Sequence, residues 1–378
     1  MKQFLLGMKI ATVFFTIIIL SSCSRKDIFS NWPVFKGNNQ RTSYAVAQGP
    51  GILLQPDWIL NVNSRITSSP VIYDGILYCG TDSGLVAITL KEAKELWAFK
   101  TAGKVFSTPS VDEQAIYFGS WDDRFYALDR LAGKLLWSFQ DIGVFDSSPL
   151  VDSQYVFVGN FSGYVYALNK KNGNLVWKYK TGHWVVSSPA SYGNFIFIGS
   201  SDSYFYCLDK NNGELLWRFE AGKDIPSSPA VDSTNERVYF GSHDKHIYCL
   251  DALSGEEIWR FATNSEIFSS PAVCDDKIYC ASIDSVLYCI NAKTGKELWR
   301  FYAGNTIYSS PTIASDMVYL PSYDGNMYVI NRQDGALEYS LNIQNATDST
   351  PAISGRYLFI GDYAGNIYAL TELTSVSR

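Results

Sequence analysis

Short apolar runs alternate with polar turn residues along most of this 378-residue chain. Four kinds of run follow one another in a fixed order: a run after a Ser/Thr-Ser/Thr-Pro motif, then runs of the types IYxG, YALD and LWxF. No segment keeps the periodicity of a helix for ten residues. Short apolar runs between turn residues are typical of β-strands, so the pattern predicts an all-β fold.

The four runs return at a regular interval. Eight prolines that each follow two Ser or Thr residues mark the period: Pro70, Pro109, Pro149, Pro189, Pro229, Pro271, Pro311 and Pro351. The intervals between successive prolines are 39, 40, 40, 40, 42, 40 and 40, and the two irregular values arise in the turns at 80–84 and 232–237. Four antiparallel strands in about 40 residues make one propeller blade. We therefore predict one domain, an eight-bladed β-propeller of four-stranded antiparallel blades.

The two ends of the repeat are incomplete in complementary ways. After Pro351 the chain has only three strands, whereas the run DWIL at 57–60 is a fourth strand without the first three. Pairing of this run with 366–371 would complete the last blade and remove two exposed sheet edges. The sequence thus predicts a ring that is closed by an N-terminal strand.

An aromatic residue stands twelve positions before each of the eight prolines. The set is Trp58, Trp97, Trp137, Trp177, Trp217, Trp259, Trp299 and Tyr339. Each belongs to the outermost strand, where a large ring can dock on the neighbouring blade, and burial of such a ring removes about 150–250 Å² from water. In six units a glycine in the preceding turn can adopt a left-handed backbone. Ala93 takes that place in the first unit, so a strained or different turn is expected there.

The first 22 residues differ from the repeats. Lys2 and Lys9 precede an apolar run at 10–20 that is too short to span a bilayer as a helix. The run leads into Leu-Ser-Ser-Cys at 20–23, which resembles the bacterial lipobox, where a signal peptidase cuts before the cysteine and the thiol carries a lipid. An ordinary secretory signal that contains a cysteine is the alternative.

These features predict how the chain is divided. The expected segments are a signal peptide at 1–22, a lipidated tether and leader at 23–56, the propeller at 57–371 and a C-terminal tail at 372–378. We expect the lipid on Cys23. Ser24 follows it, and a serine there directs a lipoprotein to the outer membrane under the enterobacterial sorting rule.

Charge and cysteine usage narrow the function classes. The formal net charge is −6, and loss of Lys2 and Lys9 with the signal peptide would make it −8. An acidic chain without a basic stretch is a poor nucleic-acid partner. Three of the six remaining cysteines, Cys207, Cys249 and Cys289, stand where sister repeats have alanine, which indicates small buried residues. Cys274 and Cys280 flank one hairpin and are the only pair that merits a test for a disulfide.

Residues that could carry chemistry fit the repeat better than a reaction. The Ser/Thr pairs lack a His and Asp at matching phase, so we expect a hydroxyl ring that satisfies backbone groups at the inner strand. Turn formation accounts better than calcium binding for seven aspartates: Asp82, Asp122, Asp123, Asp202, Asp244, Asp284 and Asp324. The histidines are expected at the surface: His183, His243 and His246. We predict no catalytic, cofactor-binding or metal-binding residues.

One set of large residues exceeds what the repeat requires. These residues lie in the turns between second and third strands, and we name them the rim: Trp121, Phe161, His243, Tyr323 and Tyr363. Blade topology puts the turns on the same face as connectors that carry further aromatic residues: Phe106, Phe145, Trp184, Phe268 and Tyr308. Two interpretations remain open. The rim is either a partner-binding surface or a product of inter-blade packing and simple exposure, and packing is the better account of Phe145.

The pattern A-L-D-x-x-x-G-K-x-x-W at 127–137, followed by Ser-Ser-Pro, resembles the tryptophan-docking motif of the pyrroloquinoline-quinone-type (PQQ-like) propellers. The resemblance covers 57–371, and NWPVFKGNNQRTSY at 31–44 resembles the leader ahead of their first blade. It implies an eight-bladed fold and two branches of function. These are the quinoprotein dehydrogenases and the BamB-type lipoproteins that assist assembly of outer-membrane β-barrel proteins.

The dehydrogenase branch implies a calcium ion, a carboxylate base and flat groups that stack on the quinone. Many alcohol-oxidising members also carry two adjacent cysteines, and this chain has no Cys-Cys. The intervals between successive repeats differ from their common value by two at most, which leaves no long insertion to cover a cofactor. The resemblance therefore favours the non-enzymatic branch.

The sequence predicts a lipid-anchored, monomeric propeller in the bacterial cell envelope that acts as a protein-binding scaffold without a cofactor. Its most concrete form is BamB-like support of outer-membrane protein assembly, with a β-barrel assembly complex as the partner, at the periplasmic side of the outer membrane. Membrane attachment would come from the lipid alone. The alternatives are a PQQ-dependent dehydrogenase and a generic envelope sensor or adhesion scaffold.

Overall fold

The computed structural model describes residues 29–45 and 49–373. Within them the chain forms 33 strands in eight sheets, and each sheet contains one four-stranded antiparallel blade around a central channel. The predicted eight-bladed, all-β propeller is confirmed. Cys23, the signal peptide and most of the predicted C-terminal tail lie outside the described residues. In the described part of the chain, no helix is long and apolar enough to cross a membrane.

The strands follow the repeat. Two precede the first blade: β1 (Tyr44–Ala45) and β2 (Leu54–Asn61). Blade 1 contains β3 (Val71–Tyr73), β4 (Ile76–Thr81), β5 (Gly84–Thr89) and β6 (Lys94–Lys100). Blade 2 contains β7 (Ser110–Val111), β8 (Ala115–Gly119), β9 (Arg124–Asp129) and β10 (Leu135–Gln140). Blade 3 contains β11 (Leu150–Val151), β12 (Tyr155–Gly159), β13 (Tyr164–Asn169) and β14 (Leu175–Lys180). Blade 4 contains β15 (Ala190–Tyr192), β16 (Phe195–Gly199), β17 (Tyr204–Asp209) and β18 (Leu215–Glu220).

The second half of the ring repeats this arrangement. Blade 5 contains β19 (Ala230–Asp232), β20 (Arg237–Gly241), β21 (His246–Asp251) and β22 (Glu257–Ala262). Blade 6 contains β23 (Ala272–Cys274), β24 (Lys277–Ala281), β25 (Val286–Asn291) and β26 (Glu297–Tyr302). Blade 7 contains β27 (Thr312–Ala314), β28 (Met317–Pro321), β29 (Asn326–Asn331) and β30 (Leu337–Asn342), with β1 added in parallel to β27. Blade 8 contains β31 (Ala352–Ser354), β32 (Tyr357–Gly361) and β33 (Asn366–Glu372), and β2 is its fourth strand.

The ring is closed by β2, as the sequence predicts. This strand pairs antiparallel with β33, so that Trp58 lies opposite Ala369 and Leu60 opposite Ile367. The irregular repeat spacings also lie in turns: β4 and β5 are joined by two residues, and the longer hairpin separates β19 from β20. Closure leaves no blade with a missing outer strand.

The docking aromatics connect each blade to the next. The ring of Trp177 packs on Gly213, whose φ is +74° and where an added Cβ would come within 2.6 Å of the indole. The indole Nε1 donates to the Lys210 carbonyl at 3.0 Å. The contact between ring and glycine recurs in six pairs, with the added Cβ from 2.4 to 2.8 Å from the ring: Trp97–Gly133, Trp137–Gly173, Trp177–Gly213, Trp217–Gly255, Trp259–Gly295 and Trp299–Gly335. The indole hydrogen bond is present in five of them, and the Nε1 of Trp217 has no partner among the described residues. Close contact with the ring is therefore the second reason for glycine, besides the left-handed backbone.

The two exceptions both lie beside the closing seam. Tyr339 in blade 7 faces blade 8, where β33 ends without a turn into a fourth strand, so no turn glycine is present for an indole. Trp58 belongs to the closing strand and packs with Phe359 at 5.8 Å between ring centroids. In blade 1 the turn residue Ala93 has a φ of +50°, which confirms the strained turn expected there.

The hydroxyl residues before the prolines form a closed circle of hydrogen bonds. The backbone amide of each donates to the hydroxyl of the equivalent residue in the next blade, at 2.8 to 3.2 Å. The circle runs through Ser69, Thr108, Ser148, Ser188, Ser228, Ser270, Ser310 and Thr350, and then returns to Ser69. The expected hydroxyl ring is confirmed. It satisfies eight inner backbone amides that no neighbouring strand reaches.

The leader, residues 29–45, runs around one face of the propeller and contacts every blade. Trp32 pairs with Ile72 in blade 1, the Asn39 side chain donates to the Val151 carbonyl in blade 3, and Ser354 in blade 8 donates to the carbonyl of Ser30. In the other blades an inner-strand amide donates to a leader carbonyl: Val111 to Pro33, Ser191 to Asn39, Val231 to Gln40, Val273 to Thr42 and Ile313 to Ser43. We call this face the leader face.

Candidate functional site

The central channel is closed at the leader face by two buried basic side chains. Arg41 is fully buried, and its guanidinium donates to the carbonyls of Pro189 at 2.6 Å, Ser148 at 3.0 Å and Pro149 at 3.2 Å. Lys36 is also buried and donates to the Pro271 carbonyl. Carbonyls at the starts of the inner strands of three blades thus accept hydrogen bonds from two basic side chains, and no carboxylate is among these acceptors. The leader therefore connects these three blades from within the channel.

Burial determines the electrostatics of this closure. It lowers the pKa of Arg41 to about 9 and the pKa of Lys36 well below its ordinary value, and the charge of Arg41 adds to the effect on Lys36. Both residues also have left-handed backbones, with φ of +62° for Lys36 and +55° for Arg41. Non-glycine residues hold such a conformation only where surrounding contacts fix it. Sequence reasoning missed this role, although Lys36 and Arg41 are the only charged residues of the leader.

The opposite mouth of the channel is open and carries the predicted rim. One aromatic group spans blades 2 to 4: the ring of Trp121 lies 4.7 Å from Phe106 and 6.0 Å from Phe161, and Phe161 stacks on Trp184 at 5.0 Å. The Trp121 indole donates to the Oδ1 of Asp146 at 3.0 Å. The structure therefore brings Trp121 and Phe161 together with two of the connector aromatics.

A second aromatic group spans blades 5 to 8. Its ring contacts follow one another around the mouth: His243–Phe268 at 4.3 Å, Phe268–Tyr308 at 5.3 Å, Tyr308–Tyr323 at 4.8 Å and Tyr323–Tyr363 at 6.1 Å. The hydroxyls of Tyr323 and Tyr363 are 2.8 Å apart, and the guanidinium of Arg65 lies 3.7 Å over the Tyr363 ring. The other three rim residues are thus linked through connector aromatics.

The exposed fraction of each ring distinguishes the aromatic residues that could bind a partner from those that pack between blades. Trp121, Trp184 and Tyr308 are 41%, 49% and 37% exposed, whereas Phe145 is fully buried. The four remaining rim residues are half-buried. Phe145 therefore packs between blades, whereas the two aromatic groups, with Trp121, Trp184 and Tyr308 exposed, form an aromatic surface in two parts around the mouth.

A cavity of about 240 Å³ occupies the channel behind this surface. Phe35 of the leader and the hydroxyl residues line it, and two carboxylates, Asp146 and Asp348, face it near the mouth. Burial raises the pKa of Asp146 to about 6, and repulsion from Asp348 adds to the increase. Burial also raises the pKa of Asp348, although Arg65 opposes the effect. Sequence reasoning missed both, and the available signal was aspartate before the Ser/Thr-Pro motif where most repeats have an apolar residue.

Six of the seven candidate aspartates have structural partners: five accept from a tyrosine hydroxyl, and Asp82 pairs with Lys104. The Asp202 carboxylate accepts from the Tyr206 hydroxyl at 2.7 Å and from the Gly182 amide at 2.5 Å. The tyrosine contact recurs in four blades: Asp122–Tyr126, Asp244–Tyr248, Asp284–Tyr288 and Asp324–Tyr328. Among residues 29–45 and 49–373, no three His, Cys, Asp or Glu side chains form a group that could hold a metal ion.

The remaining candidate residues are the histidines and the cysteines. His183 is exposed, His246 is half-buried beside Asp244, and His243 stacks against Phe268 in the rim, where burial lowers its pKa. All six described cysteines are free and buried, so Cys274 and Cys280 are not joined. Burial raises the pKa of the Cys274 thiol to about 11 and that of Cys280 to about 12.

Two protein-family models match parts of the chain. A model described as "Beta-alanine-activating enzyme, beta-propeller" matches residues 145–370, which are more than half of the chain. The chain belongs to this β-propeller family. A second model, described as "Outer membrane protein assembly factor BamB", matches residues 55–184 of this family member. No curated protein matches it.

Solved structures share the propeller fold of this family member at low identity. BamB from Moraxella catarrhalis is 18% identical with a TM-score of 0.73, over 84% of this chain and 100% of that chain. A europium-containing methanol dehydrogenase is 11% identical with a TM-score of 0.79, over 90% and 98%. The quinohemoprotein alcohol dehydrogenase from Comamonas testosteroni is 12% identical with a TM-score of 0.78, over 92% and 82%. The predicted PQQ-like, BamB-type propeller is confirmed as a fold.

Proposed function

We propose that this protein is a non-enzymatic, lipid-anchored propeller of the bacterial cell envelope that binds a protein partner, most concretely as a BamB-like factor in outer-membrane β-barrel assembly. The observation that carries the proposal is the aromatic surface around the open mouth. Exposed indole and phenol rings that surround a recess are typical of protein recognition, because each ring buries a large area with little loss of side-chain entropy. The match to the BamB family model over residues 55–184 supports the assembly role.

The path of the leader supports this arrangement. Phe29 packs on Tyr357 of blade 8 at 5.6 Å and begins the segment that runs around the leader face. Cys23 precedes it by six residues, which reach at most about 20 Å. A lipid on Cys23 would hold the leader face toward the membrane, so that the rim faces away from it. In fractionation, a chain in which a cleavable secretory signal without a cysteine replaces residues 1–23 should move from the membrane to the soluble fraction. Retention in the membrane would contradict the anchor.

The electrostatics of the open mouth favour the non-enzymatic branch. The quinone of the PQQ-type dehydrogenases carries several carboxylates, and Asp146 and Asp348 would repel them. The basic side chain beside them, Arg65, stacks on Tyr363. Without a calcium ion between the carboxylates and the quinone, these residues do not fit a polyanionic cofactor. A tight ligand raises the unfolding temperature, so pyrroloquinoline quinone with calcium should leave it unchanged. A clear increase would support the dehydrogenase alternative.

Site-specific photo-crosslinking tests the partner directly. A benzoylphenylalanine at position 121 should crosslink in cells to a component of the β-barrel assembly complex. The matched control is position 131, where the native leucine is 56% exposed in a turn of the leader face. The proposal predicts the product from position 121 and none from position 131. Equal crosslinking at both positions, or products without an assembly component, would contradict it.

The rim residues can be tested without loss of the fold. Trp121→Ala combined with Tyr323→Ala should lower partner capture at least about tenfold, since exposed aromatic anchors contribute most to binding at such surfaces. The unfolding temperature should stay close to that of the native protein. Leu135→Ala with Leu136→Ala is the matched control, because these two leucines are 50% and 52% exposed on the outer strand of blade 2. If the rim variant unfolds, its residues belong to the core instead.

A further inference from the structure

The cavity at the open mouth combines negative charge with aromatic walls. Asp146 from blade 3 and Asp348 from blade 8 both line it. Asp146 accepts a hydrogen bond from the Trp121 indole, and its pKa is affected by Trp121 and Asp348 rather than by the buried cations of the leader. Arg65 favours the charged form of Asp348, whereas no basic side chain is among the groups that shift the pKa of Asp146. Two half-buried carboxylates that repel each other remain costly unless a cation also reaches Asp146.

Aromatic rings flank the same carboxylates. Phe106, Phe268 and Tyr308 also line the cavity, and they stand at positions equivalent to those of Asp146 and Asp348 in other blades. The faces of aromatic rings attract organic cations through their quadrupoles, and desolvation strengthens the attraction. Carboxylates and ring faces together are the chemistry that recognises an ammonium or guanidinium group.

The cavity also offers hydrogen-bond groups that are not used. The Ser349 residue lines it and is 4% exposed, and its buried hydroxyl has no hydrogen-bond partner among the described residues. A buried hydroxyl without a partner costs free energy that a ligand can recover. The hydroxyls of the closed circle, such as Ser148 and Thr350, each use one lone pair for a neighbouring amide and keep a second for the cavity.

We propose that the open mouth is a binding site for one organic cation, an alkylammonium or guanidinium group, held between Asp146 and Asp348 with Phe106, Phe268 and Tyr308 around its stem. A cavity of about 240 Å³ admits a side-chain head and excludes a folded segment. The inference deepens the proposed function and rests on it where the cation is a lysine or arginine of the partner. A free amine has the same chemistry and is the other possible source.

Calorimetry on the purified, full mature chain tests the site at pH 8. The probes are N-acetyl-lysine amide and its neutral counterpart N-acetyl-norleucine amide. The lysine probe should bind at least about tenfold more tightly than the norleucine probe, because charge-assisted contacts are the strong ones. Asp146→Asn and Asp348→Asn preserve shape and should each weaken the lysine probe about tenfold. Asp57→Asn removes the same charge from the exposed outer strand of blade 8 and should change nothing.

The result that would overturn the inference is equal affinity for the two probes, no binding of either, or unchanged affinity in both asparagine variants. Unfolding temperatures near that of the native protein would show that the variants are folded.

Two further probes identify the source of the cation. A pentapeptide with lysine at its centre that binds much more tightly than butylammonium, and loses this advantage in Trp121→Ala, indicates a protein partner that also uses the rim. Equal affinities for the pentapeptide and butylammonium indicate that the cation is a free amine, and they leave the proposed cation site intact.

Failure of this inference differs from failure of the proposed function. Probe binding without a crosslink to an assembly component would retain the cation site and remove the assembly role. Undiminished crosslinks in a variant with both asparagines would retain the partner and remove the cation site.

Discussion

At the scale of single residues, glycine and tryptophan form the joint between blades. Gly213 meets two requirements at once, because its φ is +74° and the Trp177 ring leaves no space for a Cβ. Gly193 lies in the same blade with a φ of +56° and has no atom within 4 Å of an added Cβ. A comparison of the two positions therefore separates the cost of a left-handed backbone from the cost of contact with the indole.

We predict that Gly213→Ala destabilises the propeller more than Gly193→Ala does. The second variant should cost about 1–2 kcal/mol for the left-handed alanine. The first should cost about 1–3 kcal/mol more, because the methyl group overpacks the docking site. Urea denaturation of both variants provides the comparison. Equal losses would show that the indole contact contributes little.

Asp146 predicts a dependence of stability on pH. Its pKa in the folded protein is about 6, whereas an aspartate in an unfolded chain ionises near pH 4. Between these values the folded protein holds a proton that the unfolded chain releases, so the contribution of this carboxyl to stability falls as the pH rises. The charged group that acts on it is Asp348, and the Trp121 indole donates to it.

Asp146→Asn should therefore stabilise the protein at pH 8 and have little effect at pH 4.5. The asparagine cannot ionise, and its side-chain oxygen can still accept from the Trp121 indole. Unfolding temperatures at the two pH values measure the difference. A variant that is less stable than the native protein at pH 8 would show that the carboxylate has a cation partner in the isolated protein.

At the scale of elements, the leader is part of the propeller rather than a free tether to it. It makes hydrogen bonds with the inner strand of every blade and places Arg41 and Lys36 where inner carbonyls converge. The sequence suggests a leader through the motif WPVF, but a short segment without an internal repeat gives no sign of its circular path. Only the closed ring brings the blade residues that the leader contacts, which lie up to 325 residues from it in sequence, onto one face.

Arg41→Met should destabilise the protein by about 3–5 kcal/mol. The substitution keeps a long apolar stem but leaves the carbonyls of Pro149 and Pro189 without their donor in a buried site. Lys171→Met removes an exposed positive charge from a turn and should stay within about 0.5 kcal/mol of the native protein. Denaturation of the two variants tests the role of the buried cation. Similar stability would show that water replaces the guanidinium.

At the scale of the whole molecule, the ring depends on one strand contributed from the other end of the chain. A chain that begins at residue 54 retains β2 and should form a monomeric ring of lower stability, since it lacks the leader. A chain that begins at residue 62 leaves β33 as an exposed edge, so it should aggregate or associate through that edge. Size-exclusion chromatography distinguishes the two. A stable monomer from the shorter chain would show that closure does not require β2.

The sequence by itself determined the blade number, the strand order, the docking aromatics and the closing strand. These features are local and repeated, so that eight copies of one pattern reinforce the same interpretation. Only the tertiary structure decided where the unrepeated residues lie. The path of the leader, the burial of Lys36 and Arg41 and the meeting of Asp146 with Asp348 depend on contacts between distant blades. A periodic sequence specifies each blade and its neighbour, whereas the two mouths of the channel exist only once all eight blades have closed.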